Sequence, residues 1–460
     1  MEINSQNGDF LDAQHSFLEV ELRNDHVAAD ELCLGLGAMS WCDSMRVTQG
    51  SVTLEHIRNY GELHAMLQMC QQSPDKIGCD DSLMGGGPGL VGEVLQDTQA
   101  GGANAYTRRV SNDVHYNAPL LDAQTPYSGG TNIVPGQTSI RLAVPLISSI
   151  LGNSEKYIPL GLLGAAPIVL ELGLARPSRT GVWATTGRTG NTGATAPITV
   201  PPVTAAAAGA IPAGAAYTVT NVRYVAHMVS LDRSFTDLLA RTVQEVGSIT
   251  LHGQGWTSVE NTFLNSEGSP VLNLPVRKKS VTAAYTTMKW QADGAAQQYV
   301  NAKMMCGVGK QMGCTSYQYQ IGSVQYPQSA VEFNSAGTPA NGDARGCAAP
   351  YAELAKSFGR LGVTTAETSL SRVTFGLTNS TTNPEIGAPV QMCPFSYGFS
   401  SFGNKNPIED GIDLASTAAP FSIHLERTAV ANGDPIIATT FVAYDHFFHV
   451  DASGLITPSD

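Results

Sequence analysis

Asp445, His446, His449 and Asp451 bring imidazoles and carboxylates close together near the end of the chain. Such side chains hold divalent metals or act as general bases. Their spacing argues against both uses. Neighbouring side chains of a strand alternate between faces, so positions 446 and 449 point to opposite sides and share one ion poorly. The plainer reading is a group of polar residues near a strand end. Gly85-Gly86-Gly87-Pro88-Gly89 could cradle a phosphate with backbone amides. It lacks the Gly-Lys-Ser/Thr ending and the strand-to-helix setting of such loops, so a flexible loop is the better reading. Cys306 and Cys314 have no His or second Cys at zinc spacing. No Gly-x-Ser-x-Gly elbow and no His-Glu-x-x-His pair occurs. The sequence thus offers no catalytic, cofactor-binding or metal-ligating set, and it reads as a structural protein rather than an enzyme.

Composition points the same way. The chain has 460 residues, enough for two domains. Charged residues make up only 14%, against ~25% in ordinary soluble domains. With 47 Gly and 25 Pro, much of the surface is then neutral loop or is covered in an assembly. A net charge of −13 opposes a direct grip on nucleic acid, which rests on Lys and Arg displacing counterions. Arg277-Lys278-Lys279 is the one run of three positive charges and reads first as a solvated strand edge. A contact to an acidic neighbouring subunit is the second reading. The eight cysteines lack a Cys-x-x-Cys pair, which favours reduced thiols. The first residues lack the basic and apolar regions of a signal peptide. Tyr157 to Leu174, the most membrane-like stretch, contains Pro159, Pro167 and Glu171 and reads as a turn leading into a strand.

Strands are expected to dominate the elements that carry these residues. Leu18, Val20 and Leu22 alternate with Glu19, Glu21 and Arg23. Ile140, Leu142, Val144 and Leu146 repeat the pattern, as do Ile168, Leu170, Leu172 and Leu174, and Val222, Tyr224, Ala226 and Met228. Alternation of this kind marks antiparallel sheets packed as sandwiches. Leu54, Ile57, Leu63, Met66, Leu67 and Cys70 predict one amphipathic helix. Asp232 caps a second, with a stripe of Phe235, Leu238, Leu239, Val243 and Val246 closed by Gly247.

An order of elements also occurs twice. Tyr60-Gly61-Glu62-Leu63 is echoed by Tyr351-Ala352-Glu353-Leu354. The long strand running to Asp232 is echoed by the one running to Asp451. Two tandem copies of one β-rich unit follow, with residues 1–247 and 248–460 as the domains. Insertions at about 84–137 and 176–216 interrupt the first copy. The second insertion, Arg176 to Ala216, contains no Lys, Asp or Glu, and reads as a loop ordered by packing on other subunits.

Longer motifs resemble a known family. Phe10-Leu11-Asp12, Ser16-Phe17-Leu18-Glu19-Val20 and Ser51 to Tyr60 are similar to the start of double jelly-roll major capsid proteins. These are the capsid proteins of polinton-like viruses, virophages and nucleocytoplasmic large DNA viruses. Val144-Pro145-Leu146, Tyr157-Ile158-Pro159-Leu160 and Ile168 to Leu172 resemble that family's central segment. Tyr224 to Asp232 resembles the close of its first jelly roll. The resemblance implies an all-β chain of two tandem eight-stranded antiparallel jelly rolls, with a few short helices and long loop insertions. It implies a homotrimer of pseudo-hexagonal outline that tiles an icosahedral virion shell, with no cofactor and no metal. Partners would be neighbouring capsomers, penton proteins and minor or cement proteins, with room for an internal lipid membrane. The chain would be made in host cytoplasm and assembled there or in the nucleus. A carbohydrate-binding attachment protein built from similar sandwiches is the alternative, though Trp41, Trp183, Trp256 and Trp290 are scattered rather than clustered.

Overall fold

The computed structural model describes residues 1–4, 9–24, 31–33, 37–71, 94–98, 105–109, 139–152, 156–163, 166–176, 182–184, 217–290, 314–333, 348–358, 394–400, 411–416, 419–427 and 435–459. Strands β1 (Glu2–Ile3), β2 (Phe10–Asn24), β3 (Glu31–Cys33), β4 (Cys42–Gln49) and β5 (Val52–Arg58) lead to helix α1 (Tyr60–Gln71). Then come β6 (Val94–Thr98), β7 (Ala105–Arg109), β8 (Ser139–Pro145), β9 (Ile158–Pro159), β10 (Ile168–Leu174), β11 (Val182–Ala184) and β12 (Tyr217–Val229). Helix α2 (Arg233–Val246) connects to β13 (Ser248–Phe263), β14 (Val271–Asn273), β15 (Val281–Trp290), β16 (Cys314–Ile321) and β17 (Val324–Glu332). Helix α3 (Ala348–Ser357) precedes β18 (Phe395–Gly398), β19 (Phe421–Arg427), β20 (Ile436–Asp451) and β21 (Ile456–Ser459).

All pairing is antiparallel, as the alternation required. In the second half one sheet runs β13-β20-β15-β18, with β21 added to β20, and the other runs β14-β19-β16-β17. In the first half one sheet runs β1-β10-β4-β5 and the other β12-β2-β8, with β9 on β2. The two orders coincide place for place. β1, β10, β4 and β5 stand where β14, β19, β16 and β17 stand; β12, β2 and β8 stand where β20, β15 and β18 do. Helices α1 and α3 each follow the last strand of the equivalent sheet, which explains the Tyr-x-Glu-Leu echo. Leu63 and Leu354 are both fully buried and anchor these helices. All eight places are filled in the second sandwich. The place of β13 has no counterpart in the first among the described residues.

Burial follows the sequence pattern through β2, where Leu18, Val20 and Leu22 are buried and Arg23 is exposed. It departs in β10. Leu174 is 62% exposed, because a bulge between Gly173 and Leu174 turns the strand end over. The first helix is also shorter than the apolar spacing predicts. Leu54 and Ile57 belong to β5, and the helix begins at Tyr60. Asn59, at φ 54, breaks the strand, and its carbonyl accepts from the amides of Glu62 and Leu63. Asn tolerates this left-handed conformation better than most residues. Both halves contribute to one continuous apolar core. Its second-half portion is aromatic: Tyr317 stacks on Phe395 at 5.0 Å, and Tyr319 on Phe421 at 6.0 Å.

The segment from Tyr157 is β9, a short 3-10 turn at Leu160–Leu162, and β10, so it is a turn into a strand as expected. No helix among the described residues is long and apolar enough to cross a membrane. Most of 84–137 and 176–216 lies outside the described residues, as do Gly85 to Gly89 and Cys306. The parts that are described there are mainly the β6–β7 pair and β11, which pairs with β3.

Candidate assembly surfaces

The residues of greatest chemical promise do not converge. His446 is buried, and its Nδ1 lies 3.0 Å from Ser149 Oγ. His449 instead faces Thr250, with Nδ1 3.0 Å from that hydroxyl. Asp445 accepts from Ser280 Oγ at 2.5 Å and lies 3.4 Å from His252 Nε2. Asp451 accepts from the amides of Ser453 and Leu455 at 2.9 and 3.0 Å, fixing the turn into β21. Among the described residues no group of three or more His, Cys, Asp or Glu could hold a metal ion. Cys314 is buried, and burial pushes the pKa of its thiol up to about 12, which suppresses thiolate chemistry.

The basic run is not a strand edge. Arg277, Lys278 and Lys279 lie in the connection between β14 and β15. Lys278 is half-buried, with its Nζ 4.2 Å from the centre of the Tyr444 ring. Arg277 and Lys279, which flank it, are exposed on the surface.

One buried polar cluster escaped the sequence reading. Glu55, on β5, accepts from Ser148 Oγ at 2.5 Å and from the Ser149 amide at 3.0 Å. Ser149 then reaches across to His446 on β20. A serine, a histidine and a carboxylate are thus neighbours, but the arrangement is not that of a hydrolase. Glu55 bonds the serine backbone rather than orienting the imidazole, and all four side chains are buried. A substrate has no access to them. Burial raises the Glu55 carboxyl to about 7, against the lowering pull of Ser148, Ser149 and Lys278. The local sequence signal was weak: an inward Glu beside a Ser-Ser pair that lies far away in the chain.

This cluster belongs to a seam between the two sandwiches. Gln49 Nε2 donates to Gly454 O at 2.9 Å, and the Ile456 amide donates to Gln49 Oε1 at 2.7 Å. Ser258 Oγ donates to Arg58 O at 3.0 Å. Gly253 lies so close to Ser149 that a Cβ would stand 1.9 Å from its carbonyl oxygen, so this approach requires glycine. The seam holds the two lobes as one piece.

No family model matches the chain, and no curated protein matches it. Solved structures do. The crystal structure of PBCV-1 VP54 fitted into a cryo-EM reconstruction of the virophage Sputnik is similar at TM-score 0.52 and 11% identity, over 100% of this chain and 91% of that one. A quasi-atomic model of the PBCV-1 virus capsid gives TM-score 0.52 and 10% identity, over 100% and 92%. The Faustovirus major capsid protein gives TM-score 0.52 and 8% identity, over 97% and 86%. At such identities the likeness is one of fold, and it runs the length of the chain. The fold is a double jelly roll.

On the outside of this double jelly roll, large apolar side chains gather along β12 and α2. Val225 and Met228 are each 37% exposed, Phe235 48%, Leu238 61% and Val246 72%. Helix α2 is capped as its sequence requires: Asp232 accepts from the Ser234 amide at 2.8 Å, and Gly247 closes it at φ 96. Of the expected stripe only Val243 is buried. A helix formed so regularly, with its apolar face left open, has the character of a surface awaiting contact.

Proposed function

We propose that this protein is a major capsid protein, a structural subunit with no catalytic residues. Residues 1–247 and 248–460 form its two lobes. Three copies join into a capsomer of pseudo-hexagonal outline, and capsomers tile an icosahedral virion shell. The observation that carries this reading is the duplication of one sheet order within a single chain. Two like lobes repeated by a three-fold axis present six similar flanks, which is the geometry a hexagonal lattice needs. The Faustovirus chain of the same fold is a major capsid protein, and the PBCV-1 chains build that virus's capsid. Low charge and apolar exposure on β12 and α2 fit surfaces that become buried on assembly.

Light scattering on purified protein is expected to give three chain masses, and negative-stain images to show six-sided particles. A protein that stays monomeric at high concentration in both measurements contradicts the reading. Removing residues 185–216 is expected to leave folded monomer and weaken the trimer. Trimers of unchanged thermal stability after that deletion would remove those residues from the contact.

A further inference from the structure

The turn at 146–152 follows β8 and reaches from the first lobe into the second. Ser149 Oγ lies 3.0 Å from His446 Nδ1 on β20, and the Ser149 carbonyl sits against Gly253 on β13. Glu55 holds this turn in shape. Its two carboxyl oxygens accept from Ser148 Oγ at 2.5 Å and from the Ser149 amide at 3.0 and 3.1 Å. Ser148 Oγ accepts from the Leu151 amide at 3.0 Å, and Ser148 O from the Gly152 amide at 3.1 Å. Ser148, Ser149, Ile150 and Leu151 are all completely buried. The strand that carries Glu55, β5, itself packs on β13 and β21 of the second lobe. A buried ionisable group is thus built into an element that joins the lobes.

We propose that Glu55 is a proton-operated latch between the lobes: protonated, it seats the 146–152 turn against β13 and β20; ionised, it releases the turn and lets the lobes shift. The groups around it fix the sign. Lys278, in the connection between β14 and β15, acts on it from the second lobe and favours the charged form, as do the bonds from Ser148 and Ser149. Tyr60 faces it from α1, its hydroxyl accepting from the Ile147 amide. β20 brings His446 to Ser149, and β13 brings His252 to Asp445, which Ser280 also holds. No ionisable side chain lies on β21. Burial outweighs the groups that favour the charge, and the docked carboxyl keeps its proton up to about pH 7. Where the seam opens, water reaches Glu55 and it ionises near its ordinary 4.5. Opening therefore releases a proton between these two values. Its equilibrium constant rises by up to about tenfold per pH unit across them and levels off above about 7. The lobes are stiffest in acid and free to shift above neutrality, a property of the single chain that does not depend on its building a shell.

Amide exchange of the full chain at pH 5, 6, 7 and 8, with the intrinsic pH dependence of exchange divided out, reads the latch directly. Protection of the Ser149, Gly152 and Ile456 amides is expected to fall by about tenfold per pH unit from 5 to 7 and to level by 8. Amides of β16 and β19, far from the seam, should not follow. His64 lies on α1 and bonds the Pro145 backbone inside the first lobe, so it stays covered in this local opening and its own titration does not mask the effect. Glu55→Gln is expected to make the profile flat. Lys278→Gln, which removes the charge favouring the carboxylate and leaves the turn intact, should prolong the fall above pH 7. A decline that persists in Glu55→Gln, or that appears equally in β16 and β19, overturns the latch. So does a Lys278→Gln profile that levels at the same pH as the parent's, which keeps the test decisive if Glu55→Gln fails to fold.

Discussion

Glu55 and His64 are buried ionisable groups of the first sandwich, and burial acts on them with opposite sign. A carboxyl raised from 4.5 to about 7 costs stability in its charged form, so Glu55 weakens the fold as pH climbs through that interval. An imidazole lowered from 6.5 to about 4 resists charging, so His64 weakens the fold as pH drops through that one. The shifts are similar in size, each roughly 3 kcal/mol by linkage. Between about pH 4.5 and 6.5 their contributions oppose each other, and this pair leaves stability nearly level. Glu55→Gln is expected to uncover the histidine: the urea midpoint of the variant drops steadily on acidification from pH 6.5 to 4. His64→Gln should do the reverse, losing stability as pH rises from 4.5 to 7. A Glu55→Gln profile parallel to the parent's would mean that Glu55 titrates like an exposed carboxyl. Neither residue stood out in the sequence. Desolvation depends on what folds over a side chain, and here that is Pro145, the last residue of β8, and Ser148 and Ser149 in the connection after it.

Elements were legible wherever one local rule governed them. Period-two alternation placed β2 and β8, and Asp232 with Gly247 marked both ends of α2. Places where two rules overlapped were misread. Leu54 and Ile57 fit the helical spacing of Leu63 and Met66, yet they belong to β5, because inward strand residues three apart across a bulge mimic a helical face. The change of element rests on Asn59 and its left-handed backbone. Asn59→Ala is expected to cost about 1 kcal/mol, since Cβ sterics disfavour that conformation without the compensation an Asn side chain offers. Asn59→Gly should stay near the parent. Equal urea midpoints for the two variants would show that the strand-to-helix break does not depend on this residue. The exposed stripe of α2 marks the limit of such reading. Its spacing announces an amphipathic helix, but no local pattern says whether the partner lies in the same chain.

The whole molecule depends on a seam that no motif advertised. The duplicated order could be read from Tyr-x-Glu-Leu and the paired Asp-ending strands, because each copy repeats its own local signals. Contacts between the copies join Gln49 to Gly454 and Ile456, and Gly253 to Ser149, between residues far apart in the chain, so the sequence holds no local trace of them. These contacts decide whether the lobes unfold together. Gln49 is completely buried, and its amide satisfies a carbonyl and an amide of the other lobe. Gln49→Ala strands both, at roughly 2–4 kcal/mol. Gly253→Ala drives a methyl into the Ser149 carbonyl, and because backbone must move to relieve it, a loss of about 3 kcal/mol is expected. Each strand of the second sandwich keeps its partners in both variants, so the damage falls on the coupling rather than on either sheet. The parent is expected to unfold in one urea transition. Gly253→Ala should split it into two, with exchange at Ile456 and in β5 quickening before that in β16 and β19. A single transition, shifted or not, with exchange rising uniformly across both lobes would show that the shared core alone holds them together and that the polar seam contributes little.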